Sequence, residues 1–254
     1  MARTPVSAPH TKAWLALERN LKSISHMHAL GARELALLKT AAMRRYKTPI
    51  GDLTKGRERA RLVRSLRHFN ATLQLRLERY GTTTLWQVVM LVTCVEAYLQ
   101  DLLVATASVD PKVMSKSQQV APYADVVSAA SLDELANELR RRWARGWLSD
   151  GGPTRWIFRL RKMGANSYPI GLAHRLELIW GIRHVAVHTA GVATADFLRR
   201  HPSAAGAVGD SVRVSSRQFK AFLEATRDFL EPTERCFLAR CPSLLASTSS
   251  GRVK

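Results

Sequence analysis

The sequence feature that most constrains the fold is a long apolar run from Leu85 to Ala107. Polar residues interrupt it at Gln87, Glu96, Gln100 and Asp101. A membrane-spanning helix needs about 20 consecutive residues that are almost all uncharged and apolar. The interrupted run therefore predicts a buried core helix and no membrane partner.

Apolar residues recur at helical spacing on both sides of this run. Before it, they predict an amphipathic N-terminal pair broken near Gly31 and ended by Pro49 and Gly51, then a very basic helix from about Lys55 to Tyr80 that Gly81 closes. Strand-like alternation is confined to short pieces such as Val212 to Val214. The predicted class is all-α.

Helix starts are marked by three hydroxyl residues followed three positions later by Glu or Gln, the spacing of a capping box. The breaks between helices are marked by Gly and Pro, and a polar segment from Ser108 to Ala130 predicts a loop. The predicted starts and stops are Thr84 with Gln87, Ser131 with Glu134, a break at Gly151 to Pro153, a helix end near Gly191, Ser215 with Gln218, and a limit at Pro232.

The chain has a large excess of positive charge, since it contains 39 Lys and Arg but only 20 Asp and Glu, which gives a net charge of +19. Such a surplus favours nucleic acid, an anionic membrane surface or another acidic partner, and the plain alternative is a solvated basic surface. The three cysteines are scattered and odd in number, which predicts reduced thiols. The first ten residues contain no apolar stretch of the kind found in secretory signals, so we expect a cytoplasmic protein.

Three polar residues, Arg183, His184 and His188, lie within a largely apolar helical stretch from Leu176 to Ala190. Burying such groups is costly unless they are paired or used. The alternatives are that they point to solvent or satisfy a local acid, or that they serve in a functional site.

The segment Glu177-Leu178-Ile179-Trp180-Gly181-Ile182-Arg183-His184-Val185-Ala186-Val187-His188 resembles the last core helix of HEPN-superfamily proteins. In that family an Arg is followed after four to six residues by His, and here the gap is four. Asn most often follows the Arg, whereas this sequence has His184. The segment Leu91 to Leu103 is similar to the first core helix of the bacterial branch, and the likeness extends roughly from Leu85 to Leu230.

This resemblance implies a HEPN-like helical bundle over residues 81–240. We expect a basic helical extension before it, over residues 1–80, and a Ser-rich disordered tail over residues 241–254. The resemblance also implies a homodimer. Residues five apart on a helix are separated by about 140° around the axis and about 7.5 Å along it, so two apposed helices would surround one phosphate better than one does.

The side chains suit RNA cleavage by attack of the 2′-OH, and this chemistry requires no metal or cofactor. His188 can accept or donate a proton, because imidazole titrates near neutrality. Arg183 can bind phosphate oxygens and stabilise developing negative charge. His184 is a further candidate, and Glu96 could orient Arg183 or a histidine or simply form a structural ion pair. A metal site on His184 and His188, completed by His174 or Glu96, is the less favoured alternative.

Two functions follow from these residues. The first is a metal-independent endoribonuclease, a toxin or antiviral defence effector of the sort that the resemblance implies, with RNA as substrate and an antitoxin or regulatory protein as a further partner. The second is a non-enzymatic HEPN-like module that binds RNA, nucleotide or a partner protein. The arginines of residues 57–79 and 140–162 could follow RNA phosphates, whereas Trp143, Trp147 and Trp156 fit a helical core better than a base-stacking surface.

Overall fold

The computed structural model describes residues 10–46, 57–115, 121–204 and 206–245. Within these ranges the predicted all-α class is confirmed, because the structure has eight α-helices, two short 3-10 helices and no strand. The α-helices are α1 (Lys12–Tyr46), α2 (Arg57–Val109), α3 (Tyr123–Ser128), α4 (Leu132–Ser149), α5 (Gly152–Lys162), α6 (Leu172–His188), α7 (Ala195–Arg200) and α8 (Ser216–Arg240). The 3-10 helices are Pro111–Met114 and Pro242–Leu244.

The contacts divide the chain into two compact units. The first contains the described residues of Met1–Leu21, Leu91–Gly181 and Ala221–Lys254, and the second contains those of Lys22–Met90 and Ile182–Lys220. Each of the long helices α1, α2, α6 and α8 therefore contributes residues to both units.

The first unit has a buried polar centre at Glu234 of α8, which is 2% exposed. Its carboxylate accepts hydrogen bonds from the backbone N–H of Thr11 at 2.6 Å, from the Thr11 hydroxyl at 3.1 Å and from the Tyr98 hydroxyl at 2.8 Å. Three donors satisfy the charge that burial would otherwise penalise. The pKa of Tyr98 is raised well above its usual range. Burial of the phenol is the largest cause, and the neighbouring Glu234 carboxylate adds to it.

Aromatic packing completes the core of the first unit. The rings of Trp156 and Trp180 meet edge to face with centroids 5.3 Å apart, and the Trp156 indole donates to the backbone carbonyl of Leu148. Trp156 is buried, as predicted, while Trp143 and Trp147 are half-buried. The predicted core helix is also confirmed, since Leu91, Leu99 and their apolar neighbours on α2 are almost fully buried.

The second unit contains an antiparallel hairpin of α1 and α2. His28 Nδ1 donates to the Gln87 side-chain carbonyl at 2.9 Å, and both side chains are buried. Gly31 lies opposite Tyr80, where a Cβ added to the glycine would be 3.2 Å from the ring. Gly31 thus permits a close helix approach.

Two predicted helix boundaries in this hairpin are wrong. The helix α1 continues through Gly31, and α2 continues through Gly81, so the predicted helix start at Thr84 does not exist. The Thr84 hydroxyl donates to the Tyr80 carbonyl one turn earlier, a bond that Thr makes inside helices.

Three further predictions need correction. The helix α8 runs through Pro232 to Arg240, although proline cannot donate the usual backbone bond. The expected loop over residues 108–130 contains the first 3-10 helix and α3. The expected disorder from residue 241 is wrong for 241–245, where Cys241 is buried and Leu245 forms an isolated bridge with Thr11; residues 246–254 lie outside the described part.

The described residues include one helical stretch, Arg67–Val109, that is long and apolar enough to cross a membrane by length and composition. A little under half of its most apolar window is buried inside the protein. Core helices of soluble proteins pass the same test, so the stretch is weak evidence for a membrane span.

Candidate active site

The helix α6 carries the motif and ends in a defined cap. The backbone N–H groups of Thr189 and Gly191 both donate to the Val185 carbonyl, at 3.0 and 3.1 Å. The second of these bonds joins residues six apart, one more than the long bond of a Schellman motif, and it closes over a left-handed position before Gly191. Ala190 occupies it with φ 52°, and Gly191 follows with φ 84°. His188 is therefore fixed as the last residue of α6.

Arg183 is half-buried on α6. Its Nε atom is buried and has no hydrogen-bond partner in the part of the chain that the structure describes. An unpaired buried donor costs free energy, about 1–3 kcal/mol for typical groups. This free-energy cost decreases when an anionic oxygen forms hydrogen bonds with the guanidinium group.

His184 and His188 are both exposed, one turn apart on the same face of α6. Their ring centroids lie 4.5 Å apart at an interplanar angle of 44°. Val187 is beside them and is 44% exposed. The predicted residues Arg183, His184 and His188 thus belong to one short segment of the second unit, and the two imidazoles are accessible to a substrate.

Glu96 belongs to the first unit, on α2. Its carboxylate accepts a hydrogen bond from the Trp180 indole at 2.9 Å. Trp180 is half-buried and packs edge to face on the buried Trp156, so Glu96 holds this tryptophan in place. A role of Glu96 in orienting Arg183 or a histidine stays a prediction.

Metal binding finds no further support at these positions. No group of three or more His, Cys, Asp or Glu side chains among the described residues could hold a metal ion. The three cysteines, Cys94, Cys236 and Cys241, are free thiols. Burial raises the pKa of each of them, which disfavours the thiolate that binds metals.

The second unit also has an open cavity of about 460 Å³ that the sequence did not predict. Trp86, which is 54% exposed, and Arg213 line it together with Ala186 and Ala190 of the α6 end. Positions 184 and 186 are about 200° apart around a helix. The cavity and the histidine pair therefore lie on different sides of α6. The sequence analysis did not identify Trp86 as a lining residue, because Trp86 lies inside the segment from Thr84 to Gln87 that was interpreted as a capping box.

Comparison of the chain with protein-family models, with curated proteins and with solved structures finds no match. The description of the protein therefore rests on its own fold and site. It is an all-α protein with an exposed histidine pair beside a half-buried arginine.

Proposed function

We propose that the protein is a metal-independent endoribonuclease whose active residues are Arg183 and His188, with His184 beside them. The observation that carries the proposal is the exposed pair His184 and His188, 4.5 Å apart, next to an arginine whose buried Nε has no partner among the described residues. The motif resemblance to HEPN proteins supports the same chemistry.

The reaction is an internal transesterification. A neutral imidazole takes the proton of the 2′-OH, and the 2′-oxygen attacks the adjacent phosphorus. The bond from phosphorus to the 5′-oxygen breaks, and a protonated imidazole donates the proton that this leaving oxygen needs. The products are a 2′,3′-cyclic phosphate and a 5′-OH. Arg183 would bind the phosphate as its negative charge develops.

HEPN proteins most often have Asn at the position of His184, and an amide cannot transfer a proton at neutral pH, so we assign proton transfer to His188 alone. One copy of His188 cannot act as proton acceptor and donor at the same moment. A second copy, apposed through the same face of α6, would supply the other imidazole. The exposure of Val187, beside His184 and His188 on α6, supports such an apposition, because covering an apolar side chain with a partner is favourable. We therefore propose a homodimer with a composite site.

The proposal is tested by incubating the purified protein with total RNA in EDTA and analysing the ends of the fragments. We expect cleavage that leaves 2′,3′-cyclic phosphates. Arg183→Ala and His188→Ala should each reduce the rate by about 10² to 10⁴, the usual scale for losing a charge-stabilising or proton-transferring group.

Matched controls remove the same side chains elsewhere on exposed helical surface, as His26→Ala on α1 and Arg217→Ala on α8. Both controls should cleave at the wild-type rate. Wild-type cleavage by Arg183→Ala and His188→Ala, with unchanged circular dichroism, would show that the site is wrongly assigned.

A second candidate is a non-catalytic HEPN-like module that binds RNA, nucleotide or a partner protein. The observation that favours it is the presence of His184 where the family most often has Asn. This candidate predicts RNA binding without fragments in the same assay. A toxin or defence role, controlled by an antitoxin or regulatory protein, is the biological setting that the first candidate suggests.

A further inference from the structure

The hairpin of α1 and α2 extends beyond the core of the second unit as a two-helix arm. We define the basic arm as residues 31–46 and 57–80, with its root at the contact between Gly31 and Tyr80. The pairing continues outward in antiparallel register, because Arg76 forms an ion pair with Glu34 at 2.7 Å. At 1.5 Å per residue, α1 continues for about 20 Å beyond the root.

At its root the basic arm meets α8, where the Tyr80 and Ser216 hydroxyl oxygens are 2.6 Å apart. Every described side chain in residues 32–41 and 64–80 is half-buried or exposed, and the first buried side chains appear at His28 and Thr84, just below the root. A helix pair that buries this little gains little stability from its own packing. The basic arm therefore contributes to something other than the core.

The positive charge of the protein is concentrated in this arm. Residues 31–46 and 57–80 contain 11 Lys and Arg against 3 Asp and Glu, a surplus of 8 in a chain whose whole surplus is 19. Among the described side chains, Arg33, Lys39, Arg67 and Arg79 are exposed. Two helices that carry like charge repel one another, and a polyanion laid along them would relieve this repulsion.

The charge pattern identifies the kind of partner. A second basic arm would add a like surplus, so a second copy is disfavoured here. A membrane surface requires a continuous apolar face, yet Leu35 and Leu38 are half-buried in the groove between the two helices, and Leu37 and Leu75 are exposed singly. Phe69 and Tyr80 are half-buried, so the described arm offers no fully exposed Phe, Tyr or Trp for stacking on single-stranded bases.

We propose that the basic arm binds the phosphate backbone of base-paired RNA, without reading its sequence. Double-stranded RNA is recognised largely by its shape and by contacts to phosphate and 2′-OH groups, which arginine and lysine side chains can supply. This binding would hold structured RNA on the protein whether or not the α6 site cleaves it, so it does not rest on the endoribonuclease proposal.

The test measures binding of a fluorescent RNA duplex of about 20 base pairs to the full-length protein by anisotropy. The His188→Ala background is used throughout to prevent cleavage. The arm variant combines Arg33→Gln, Lys39→Gln, Arg67→Gln and Arg79→Gln. The control variant removes the same number of exposed positive charges from α8, with Arg217→Gln, Lys220→Gln, Arg227→Gln and Arg235→Gln. The single change Arg67→Glu serves as a milder arm variant, and circular dichroism verifies that each protein is folded.

Each duplex phosphate contact contributes about 0.9 to the slope of log affinity against log salt concentration. Removal of four contacts should therefore lower the size of this slope by up to about 3.6. Between about 50 and 200 mM salt, the arm variant should lose at least about tenfold in affinity. Arg67→Glu should act in the same direction, and the α8 variant should stay within about threefold of the parent. Equal losses in the two fourfold variants would overturn the proposal, as would arm-dependent binding to phosphatidylserine vesicles with unchanged binding to the duplex.

Discussion

At the scale of single residues, Arg183 and His184 are adjacent in sequence but have different surroundings. The Nε atom of Arg183 is buried and without a partner among the described residues, whereas His184 is exposed and lies against His188. Sequence spacing predicted which residues share this helix end. It could not predict the difference in burial, because burial depends on contacts with other elements that one helix does not encode.

His184 provides a test of how the two histidines divide the work. HEPN proteins, whose motif this segment resembles, most often have Asn at this position, and an amide can donate and accept hydrogen bonds but cannot transfer a proton at neutral pH. We therefore expect His184→Asn to retain cleavage within about tenfold, while His188→Asn loses about 10² or more. The measurement is the initial rate on one RNA substrate. A loss in His184→Asn as large as that in His188→Asn would assign proton transfer to His184 as well.

The cap of α6 makes a prediction about stability. Gly191 has φ 84°, and an added Cβ would lie 2.8 Å from Leu85 Cδ2, so Gly191→Ala should lower the free energy of unfolding by roughly 1–3 kcal/mol. The neighbouring Ala190 already adopts φ 52°, where glycine is preferred, so Ala190→Gly should raise it by up to about 1 kcal/mol. Urea denaturation compares both with the wild type. Changes of the same sign in the two variants would show that the cap geometry is wrong.

At the scale of elements, the capping signals predicted helix starts correctly at positions that follow non-helical residues. Ser131 and Ser215 start α4 and α8 and accept hydrogen bonds from the backbone N–H groups three residues later, as predicted. The same spacing at Thr84 failed because α2 is already helical there. Gly31 was mistaken for a break because the sequence does not show that Tyr80 packs against it.

Tyr168 lies at the contact between the α5–α6 connection and α8, and it makes the stability of this contact depend on pH in the alkaline range. Its hydroxyl hydrogen bonds to Thr233 at 2.9 Å, and burial raises the pKa of Tyr168 from 10.0 to about 12. The folded protein thus keeps this proton over a pH range in which the unfolded chain has lost it. The contribution to stability is fully present below pH 10 and is lost as the pH rises towards 12.

We expect Tyr168→Phe to reduce the loss of unfolding free energy between pH 9 and pH 11.5, by an amount on the order of 1–2 kcal/mol. Tyr98, whose pKa is also raised, would account for part of the loss that remains. The measurement is urea unfolding at the two pH values. Tyr123→Phe is the control, because Tyr123 is 83% exposed and should leave the pH dependence unchanged. An unchanged pH dependence in Tyr168→Phe would contradict this assignment.

At the scale of the whole molecule, the sequence predicted the helical class but not the arrangement of contacts. The long helices α1, α2, α6 and α8 each supply residues to both units, so the units are assembled from distant parts of the chain. Periodicity describes one helix at a time and therefore could not predict this. The net charge, in contrast, is a property of the whole sequence, and its concentration in residues 31–46 and 57–80 was accessible by counting.

The composite site makes the final prediction, which concerns mass. If two copies meet through the exposed face of α6, light scattering at micromolar concentration should report about twice the 28.3 kDa of one chain. Val187→Glu places a charge in that contact and should give the mass of one chain with unchanged circular dichroism. Val208→Glu is the matched control, because Val208 is 63% exposed in a loop of the same unit and should leave the dimer intact. A wild-type protein that has the mass of one chain and still cuts RNA would contradict the composite site, because each cleavage would then use a single His188.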